Sequence, residues 1–239
     1  MAKDIKQGSK SGELTKGKLD QFLAEVNNLP PAVRSGAKPA RLAFVIDATA
    51  SRQPTWDMAS QLQGEMLQSA RKNGEMYLQV LWFRGFGELK KTPWSADGTQ
   101  LARLMSGVTC KAGQTQIERC LRELLRQSGE QQINAVVYVG DCCEEPANKL
   151  LQLAGKLGLI NTPLFIFQDG QNPRAAQVFE QMSKRSGGAF CQLDHTSAEL
   201  LQELLNAVAS FATGGKQAVK SLPPARHKAT RHLLEQLDK

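Results

Sequence analysis

Four largely apolar segments separated by helix-forming sequence constrain the fold of this chain more than any other feature. They are residues 42–46, 77–83, 133–139 and 164–167. Such runs are typical of strands covered on both faces of a sheet. Because helical apolar stripes lie between them, the pattern predicts a three-layer α/β fold with a doubly wound, mostly parallel sheet.

Weaker patterns complete the predicted order of elements. Residues 88–92 are short and polar, which indicates an antiparallel strand at a sheet edge. A last short strand is expected at 189–193. Helices are expected at about 54–70, 97–105, 115–127, 146–157, 173–186 and 197–212.

The charge distribution divides the 239 residues into a near-neutral core and two basic ends. Residues 1–41 and 214–239 each carry a net charge of +4 and residues 42–213 carry −1, which gives +7 in total. We therefore expect a basic extension over 1–39 with one short helix, a domain over 40–213, and a basic tail over 214–239 with a short amphipathic stretch. Such ends are either solvated tails or contacts for nucleic acid, an acidic protein or a membrane surface.

Composition excludes several protein classes. No run approaches the roughly 18 apolar residues of a membrane span, and the polar start lacks the apolar segment of a signal peptide. The five cysteines form no Cys-x-x-Cys pair, so neither a disulfide framework nor a zinc ribbon is indicated. A reducing cytoplasm is the expected compartment.

The first predicted strand runs directly into a group of oxygen donors. Asp47 follows the apolar segment, and the hydroxyls of Thr49 and Ser51 stand two and four positions later. Asp141 follows another buried segment, and ligands of such sheets bind beyond the carboxyl ends of the strands. Carboxylates and hydroxyls converging at one edge would suit a hard cation such as Mg²⁺.

These residues resemble a known family. Asp47-Ala48-Thr49-Ala50-Ser51 is similar to the Asp-x-Ser/Thr-x-Ser motif of von Willebrand factor A (vWA) domains. Gly113-Gln114-Thr115 matches the family's distal threonine, and Val139-Gly140-Asp141 matches its second aspartate. The resemblance covers residues 40–213 and implies a Rossmann-like domain with a near-complete metal-ion-dependent adhesion site (MIDAS).

The resemblance also implies roles for the matched residues. Thr49 and Ser51 would bind the metal directly, Asp47 and Asp141 through waters, and Thr115 directly or through water. The metal would be Mg²⁺, or Mn²⁺ or Ca²⁺ in its place, and an Asp or Glu of a partner protein would complete its coordination. Intracellular bacterial proteins resembling this family work beside ATPases or chaperones, so such a system is the expected partner.

Two positions depart from the family pattern. Thr49 stands where serine is usual, although its hydroxyl can serve the same role. Cys142 follows Asp141 where glycine is usual, which affects the loop rather than the ligand set.

Several of these residues have a structural interpretation beside the functional one. Thr115-x-x-Glu118 is also a capping box, and Glu144 and Glu145 suit the acidic first turn of a helix. Cys142 and Cys143 invite a nucleophile interpretation, but the one core histidine, His195, is predicted on another element. We expect these cysteines to be buried or incidental.

Two residues just after the motif, Arg52 and Trp56, have two interpretations. Either they rim the predicted site, or they pack on the surface of the domain.

The function expected from this set is a metal-dependent protein-interaction module rather than an enzyme. A phosphatase of the Asp-x-Asp type would need a general acid where Thr49 stands, and no Gly-x-x-x-x-Gly-Lys-Ser/Thr loop is present. The alternative is binding of nucleic acid or an acidic partner through the basic ends, with the core as scaffold.

Overall fold

A six-stranded sheet forms the centre of the molecule. The computed structural model describes residues 39–52, 76–193 and 198–220. The strands are β1 (Ala40–Asp47), β2 (Met76–Arg84), β3 (Glu88–Lys91), β4 (Ala135–Gly140), β5 (Leu164–Asp169) and β6 (Phe190–Leu193). Their order is β3-β2-β1-β4-β5-β6, and only β3 runs antiparallel to its neighbour among these strands.

Five helices of the described chain cover the two faces of this sheet. They are α1 (Gly98–Ser106), α2 (Ile117–Glu130), α3 (Ala147–Leu159), α4 (Pro173–Ser186) and α5 (Ala198–Lys220). Apolar residues of α1 and α5 pack on one face, and those of α2, α3 and α4 pack on the other. The predicted three-layer, doubly wound fold with a short antiparallel edge strand is confirmed.

The two-sided burial of the strands explains their continuous apolar sequence. In β1, Leu42, Phe44 and Ile46 contribute to the core under α1 and α5, whereas Ala43 and Val45 face the core under α2, α3 and α4. All five are at most 1% exposed. A strand with both faces covered has no polar side in its sequence.

Most predicted elements lie within two residues of their observed bounds, and two helices differ more. The helix predicted from residue 115 begins at Ile117 and continues to Glu130. The last helix continues past residue 212 to Lys220, with a break at Gly215, whose φ of 64° and ψ of −158° are not helical. The predicted helices near residues 18–27 and 54–70, and the stretch at 233–237, lie outside the described residues.

The strand order places a crevice where the chain changes direction across the sheet. From β1 the chain passes to β2 on one side, and later to β4 on the other. Ile46 pairs with Val139, so the carboxyl ends of β1 and β4 are adjacent. Ligand sites of open α/β sheets lie at such a switch point, and Asp47 and Asp141 are both found there.

Candidate metal site

Asp47 organises the turn that follows β1. Its side chain is fully buried, and its Oδ1 accepts a hydrogen bond from the Thr49 backbone N–H at 2.8 Å. A one-turn 3₁₀ helix, Ala50–Arg52, follows. The turn brings the hydroxyl oxygens of Thr49 and Ser51 to 3.2 Å from each other. Thr49 is buried and Ser51 is exposed, so one residue of this pair lies in the interior and the other at the surface.

Asp141 joins Asp47 at the neighbouring strand end. One ligand atom each from Asp47, Asp141 and Cys142 lie within 4.8 Å of one another. Asp141 Oδ1 is buried and has no hydrogen-bond partner within the parts of the chain that the structure describes. Two carboxylates this close repel each other unless a cation or donors lie near them, so the pair fits a bound cation.

The loop that carries Thr115 is attached to the Asp47 turn and to the β2–β3 turn. The Lys111 N–H donates to the Ala48 carbonyl at 3.0 Å, and the Gln114 N–H donates to the Gly85 carbonyl at 3.2 Å. Gly113 lies against the same turn, where an added Cβ would be 2.1 Å from the Gly85 oxygen. A side chain at position 113 would therefore push this loop away from the turn.

Thr115 contacts the loop after Asp141 rather than standing apart from it. Its hydroxyl donates to Glu145 Oε2 and accepts from the Glu144 N–H at 3.1 Å. Its own N–H donates to Glu144 Oε2 at 2.9 Å. Thr115 and the segment after Asp141 are thus held together by three hydrogen bonds, which brings the last predicted ligand to the loop that carries Asp141.

These contacts correct the capping interpretation of Thr115. The N-cap position of α2 is Gln116, whose side chain makes no capping hydrogen bond. Instead, Glu145 Oε1 accepts from the Glu118 N–H at 3.1 Å. A carboxylate from another loop therefore satisfies a free N–H at the start of α2, where the helix dipole favours negative charge.

Glu144 and Glu145 do not form the first turn of a helix, as the sequence suggested. The helix α3 begins at Ala147, with Pro146 at its N-cap. The signal was present in the sequence, because a residue before proline is disfavoured in the helical conformation. Their contact with Thr115 was not predictable from local sequence, since it joins residues about 30 positions apart.

Burial and nearby carboxylates raise the pKa values of three groups around this strand end. Burial raises the pKa of the Cys142 thiol to about 12, and the charges of Asp141 and Asp47 contribute. Burial also raises the pKa of Cys143 to about 11, with a contribution from Glu145. The pKa of Tyr138 is raised by burial first and then by Asp47 and Glu145. Asp47, Asp141 and Glu145 thus contribute negative charge to this region, and negative charge favours a cation.

The cysteine pair does not have the properties of a nucleophile. Because the pKa values of both thiols are raised, both are protonated at neutral pH, and the thiolate is the reactive form. His195 and the side chains of Arg52 and Trp56 lie outside the described residues.

The donor chemistry of these residues fits a hard divalent cation. Asp47 and Asp141 supply carboxylate oxygens, and Thr49, Ser51 and Thr115 supply neutral hydroxyls. Oxygen ligands of this kind suit Mg²⁺, Mn²⁺ and Ca²⁺. Cys142 adds a sulfur beside them, which the sequence indicated only as a departure from the family pattern.

Solved structures similar to this one are vWA domains and proteins that contain related domains. The SpRpn10 VWA domain has a TM-score of 0.56 at 11% identity, over 71% of this chain and 95% of that one. An aerotolerance-related membrane protein from Bacteroides fragilis has a TM-score of 0.57 at 12% identity, over 77% of this chain and 100% of that one.

A third similar structure has a metal in its adhesion motif. Proximal thread matrix protein 1 from the mussel byssus, with a zinc-occupied MIDAS motif, has a TM-score of 0.57 at 14% identity. The match covers 74% of this chain and 47% of that one. No protein-family model matches the sequence, and no curated protein matches it either. The structural similarity establishes the vWA fold. At identities this low it establishes the fold alone.

Two further observations concern membrane spans and cysteines. Among the described residues, no helix is both long and apolar enough to cross a membrane. All five cysteines lie in the described parts, and none of them forms a disulfide bond.

Proposed function

We propose that this protein is a metal-dependent protein-interaction module whose bound Mg²⁺ takes a carboxylate from a partner protein. Asp47, Thr49, Ser51, Thr115 and Asp141 would hold the ion. The observation that carries the proposal is the placement of Asp47 and Asp141, with ligand atoms within 4.8 Å, beside hydroxyls that are 3.2 Å apart.

The charge balance of this donor set explains why the ion would attract a further anion. Only Asp47 and Asp141 bring negative charge, and three of the five ligands are neutral hydroxyls. Mg²⁺ prefers six oxygen ligands and keeps several waters when the protein supplies few charges. Ser51 is exposed, so a water on that side of the ion is replaceable by an incoming Asp or Glu.

The surface beside the Asp47 turn also favours an acidic partner. Lys111 lies in the loop bonded to this turn, and its ammonium is 3.1 Å from Glu88. Arg84 and Lys90 contact the same carboxylate at 2.8 Å and 3.3 Å. Three cations around one carboxylate leave the cluster positively charged, which steers negatively charged partners toward it.

We propose an identity for the metal from the type of donor atom. The mussel protein has zinc in its MIDAS motif, and that observation concerns the mussel protein alone. In this chain, Cys142 would give Zn²⁺ a sulfur ligand. We infer Mg²⁺, with Mn²⁺ and Ca²⁺ as substitutes, because the remaining donors are oxygens. If Cys142 is outside the ligand set, Cys142→Ser leaves Mg²⁺ binding unchanged.

We also propose a compartment and a class of partner. Cysteines without disulfide bonds are compatible with a reducing cytoplasm, where an ATPase or chaperone system of the bacterial type is the proposed partner. We propose no catalytic activity, since the role of each donor is accounted for by metal binding.

Thermal unfolding tests the proposed site. A ligand that binds only the folded state raises the melting temperature of the protein. The wild type should therefore melt at a higher temperature in Mg²⁺ than in EDTA. Ser51→Ala should abolish or strongly reduce the shift without loss of fold, because Ser51 is exposed. Asp47→Ala should abolish it.

The matched control is Ser106→Ala, which removes an exposed hydroxyl at the end of α1. This variant should keep the full Mg²⁺ shift. Equal melting of the wild type in Mg²⁺ and in EDTA, or an unchanged shift in Ser51→Ala, would contradict the proposed ligand set.

A further inference from the structure

A second candidate site lies at the end of the sheet opposite to Asp47. It is a cleft of about 570 Å³ whose lining includes Arg41 at the start of β1, Trp94 after β3, and Gln127 near the end of α2. Arg41 is the second residue of β1 and Asp47 is its last, so nearly the whole length of β1 separates the two sites. The volume is within the range of sites for small ligands, about 300–1,000 Å³.

Two glutamine side chains of the lining are held in defined orientations. Gln79 Nε2 donates to the Thr92 carbonyl at 2.9 Å, and the Trp94 Nε1–H donates to Gln127 Oε1 at 3.0 Å. A carbonyl only accepts and an indole N–H only donates. Neither amide can therefore be reversed without losing its hydrogen bond, and the chemistry of each remaining amide atom is fixed.

The remaining atoms of these amides are one acceptor and one donor. Gln79 Oε1 and Gln127 Nε2 are buried and have no hydrogen-bond partner anywhere in the described residues. The side chains themselves are 2% and 7% exposed. Buried polar groups are satisfied in nearly all native proteins, by protein, water or ligand, so each of these two atoms needs a partner that the described residues do not supply.

Arg41 adds a cation to the lining of the cleft. Its guanidinium carbon lies 5.0 Å from the centre of the Trp94 ring. The other basic residues of the lining are engaged, because Lys91 and Arg126 both pair with Glu123. Within residues 39–52, 76–193 and 198–220, Arg41 forms no ion pair, and its guanidinium over the Trp94 ring is the cation of the lining that we consider for an anion.

We propose that this cleft binds a peptide carboxylate, meaning a peptide amide with a carboxylate close to it. The amide oxygen would accept from Gln127 Nε2, the amide N–H would donate to Gln79 Oε1, and the carboxylate would pair with Arg41. A planar guanidinium held on an aromatic ring is suited to bind a carboxylate through two hydrogen bonds. The carboxyl terminus of a peptide and an Asp or Glu side chain within a peptide are two sources of this chemistry.

Titration of the full-length ¹⁵N-labelled protein by NMR tests the proposal. The probes are N-acetyl-glycyl-glycine, its carboxyl-terminal amide, and N-acetyl-glycyl-aspartyl-glycinamide, all in EDTA so that no metal site competes. We expect saturable shifts of the Trp94 indole and Gln127 side-chain amide signals, with the Trp82 indole as internal reference. The neutral amide probe should bind at least about tenfold more weakly, since it lacks the charge-assisted hydrogen bond.

The two carboxylate probes identify the source. Tighter binding of N-acetyl-glycyl-glycine would assign a carboxyl terminus, and tighter binding of the aspartyl probe would assign an internal acidic residue. No saturable shift with either carboxylate probe, or equal affinity for the neutral amide, would overturn the proposal.

A matched pair of variants tests the buried donor. Gln127→Glu keeps an oxygen for the Trp94 indole but replaces the free N–H₂ by an oxygen, so binding should be lost. Gln131→Glu adds the same charge to an exposed residue of the same cleft and should weaken binding only a few-fold. Near-ultraviolet circular dichroism checks that both variants are folded, and equal binding by the two would overturn the role of Gln127.

This proposal does not depend on the metal site. Because the titration is made in EDTA, its outcome is independent of whether Asp47 binds a metal. A negative Mg²⁺ melting experiment would therefore leave it intact.

Discussion

Glu145 links the two loops that carry the predicted metal ligands Thr115 and Asp141. One carboxylate oxygen accepts from the Thr115 hydroxyl, and the other accepts from the Glu118 N–H at the start of α2. The Thr115 hydroxyl donates its hydrogen to Glu145 and accepts from the Glu144 N–H, so one lone pair of its oxygen remains for a metal. Glu145 therefore positions Thr115 and caps a helix from outside it.

Replacement of Glu145 tests both contacts. Glu145→Ala should lower the free energy of unfolding by about 1–2 kcal/mol, the range for loss of a helix cap or of a hydrogen bond to a charged group. Urea unfolding measures the change. The matched control is Glu180→Ala, an exposed residue of α4, which should change stability by less than about 0.5 kcal/mol. Equal effects of the two substitutions would show that Glu145 has no special structural role.

For single residues, the sequence indicated which strand ends lie side by side, but it did not indicate the contacts between loops. Asp47 and Asp141 were predicted as neighbours because each ends a buried strand, and the structure brings their side chains together. Glu145 was misassigned because its partners are remote in sequence, and only Pro146 indicated that it precedes the helix.

The loop before α2 depends on a close contact between two backbones. An added Cβ at Gly113 would be 2.1 Å from the Gly85 oxygen, a distance that real Cβ atoms do not adopt. The loop that this contact holds continues to Thr115 and is also bonded to Ala48 through Lys111. Packing of the loop, rather than any ligand, is thus a direct reason for glycine at position 113.

A pair of glycine substitutions tests this contact. Gly113→Ala should destabilise the fold by about 1–3 kcal/mol, the usual cost of overpacking. Gly129→Ala in α2 meets no atom within 4 Å and should stabilise by up to about 1 kcal/mol, since alanine is the better helix former. Thermal unfolding of both variants measures the difference, and destabilisation by both substitutions would contradict the steric explanation.

The edge strand β3 is attached to α2 by a charged cluster. Glu123 of α2 contacts Lys91 of β3 at 2.5 Å and Arg126 at 2.9 Å. The Arg126 hydrogen bond is the largest cause that lowers the pKa of Glu123 from 4.5 to about 2, and Lys91 contributes. The folded state therefore favours the ionised carboxylate over a pH range in which the unfolded chain becomes protonated.

The pH dependence of Glu123→Gln tests this attachment. The lowered pKa stabilises the wild type above about pH 4.5, and this stabilisation is lost as the pH falls toward 2. We expect the variant to be less stable by up to about 1 kcal/mol at pH 7, a value limited by solvent screening. The difference in melting temperature between the wild type and Glu123→Gln should become smaller from pH 7 to pH 4 and again to pH 3. A difference that stays constant over this range would contradict the assignment.

Element positions were largely predictable from the sequence, and the exceptions have physical causes. Apolar runs and helical stripes specified strands and helices because burial on two faces or one dictates their periodicity. The helix α2 begins two residues later than predicted, and Glu145 accepts from the Glu118 N–H in its first turn. The sequence did not predict the continuation of α5 past Gly214 and Gly215, because glycines are typical of helix ends. The structure has a break at Gly215 followed by further helix.

The vWA fold explains why residues from three separate segments form one candidate site. The strand order places β1 and β4 side by side where the chain changes direction, so Asp47 and Asp141 meet although 94 positions separate them (141 minus 47). The same parallel order leaves a second cleft at the opposite end of β1. Fold class was predictable because alternating strands and helices permit few arrangements. The divisions at residues 39 and 214 and the roles of the basic ends stay predictions.

Mn²⁺ binding followed by water-proton relaxation tests directly whether the site holds a metal whose water a carboxylate can replace. Bound Mn²⁺ that keeps exchangeable waters enhances the relaxation of solvent protons, and acetate should lower this enhancement by replacing a water with a carboxylate. We expect one Mn²⁺ per chain in the wild type, an acetate-dependent loss of enhancement, and neither effect in Ser51→Ala. Equal Mn²⁺ binding by Ser51→Ala and wild type, or bound Mn²⁺ that acetate does not affect, would contradict it.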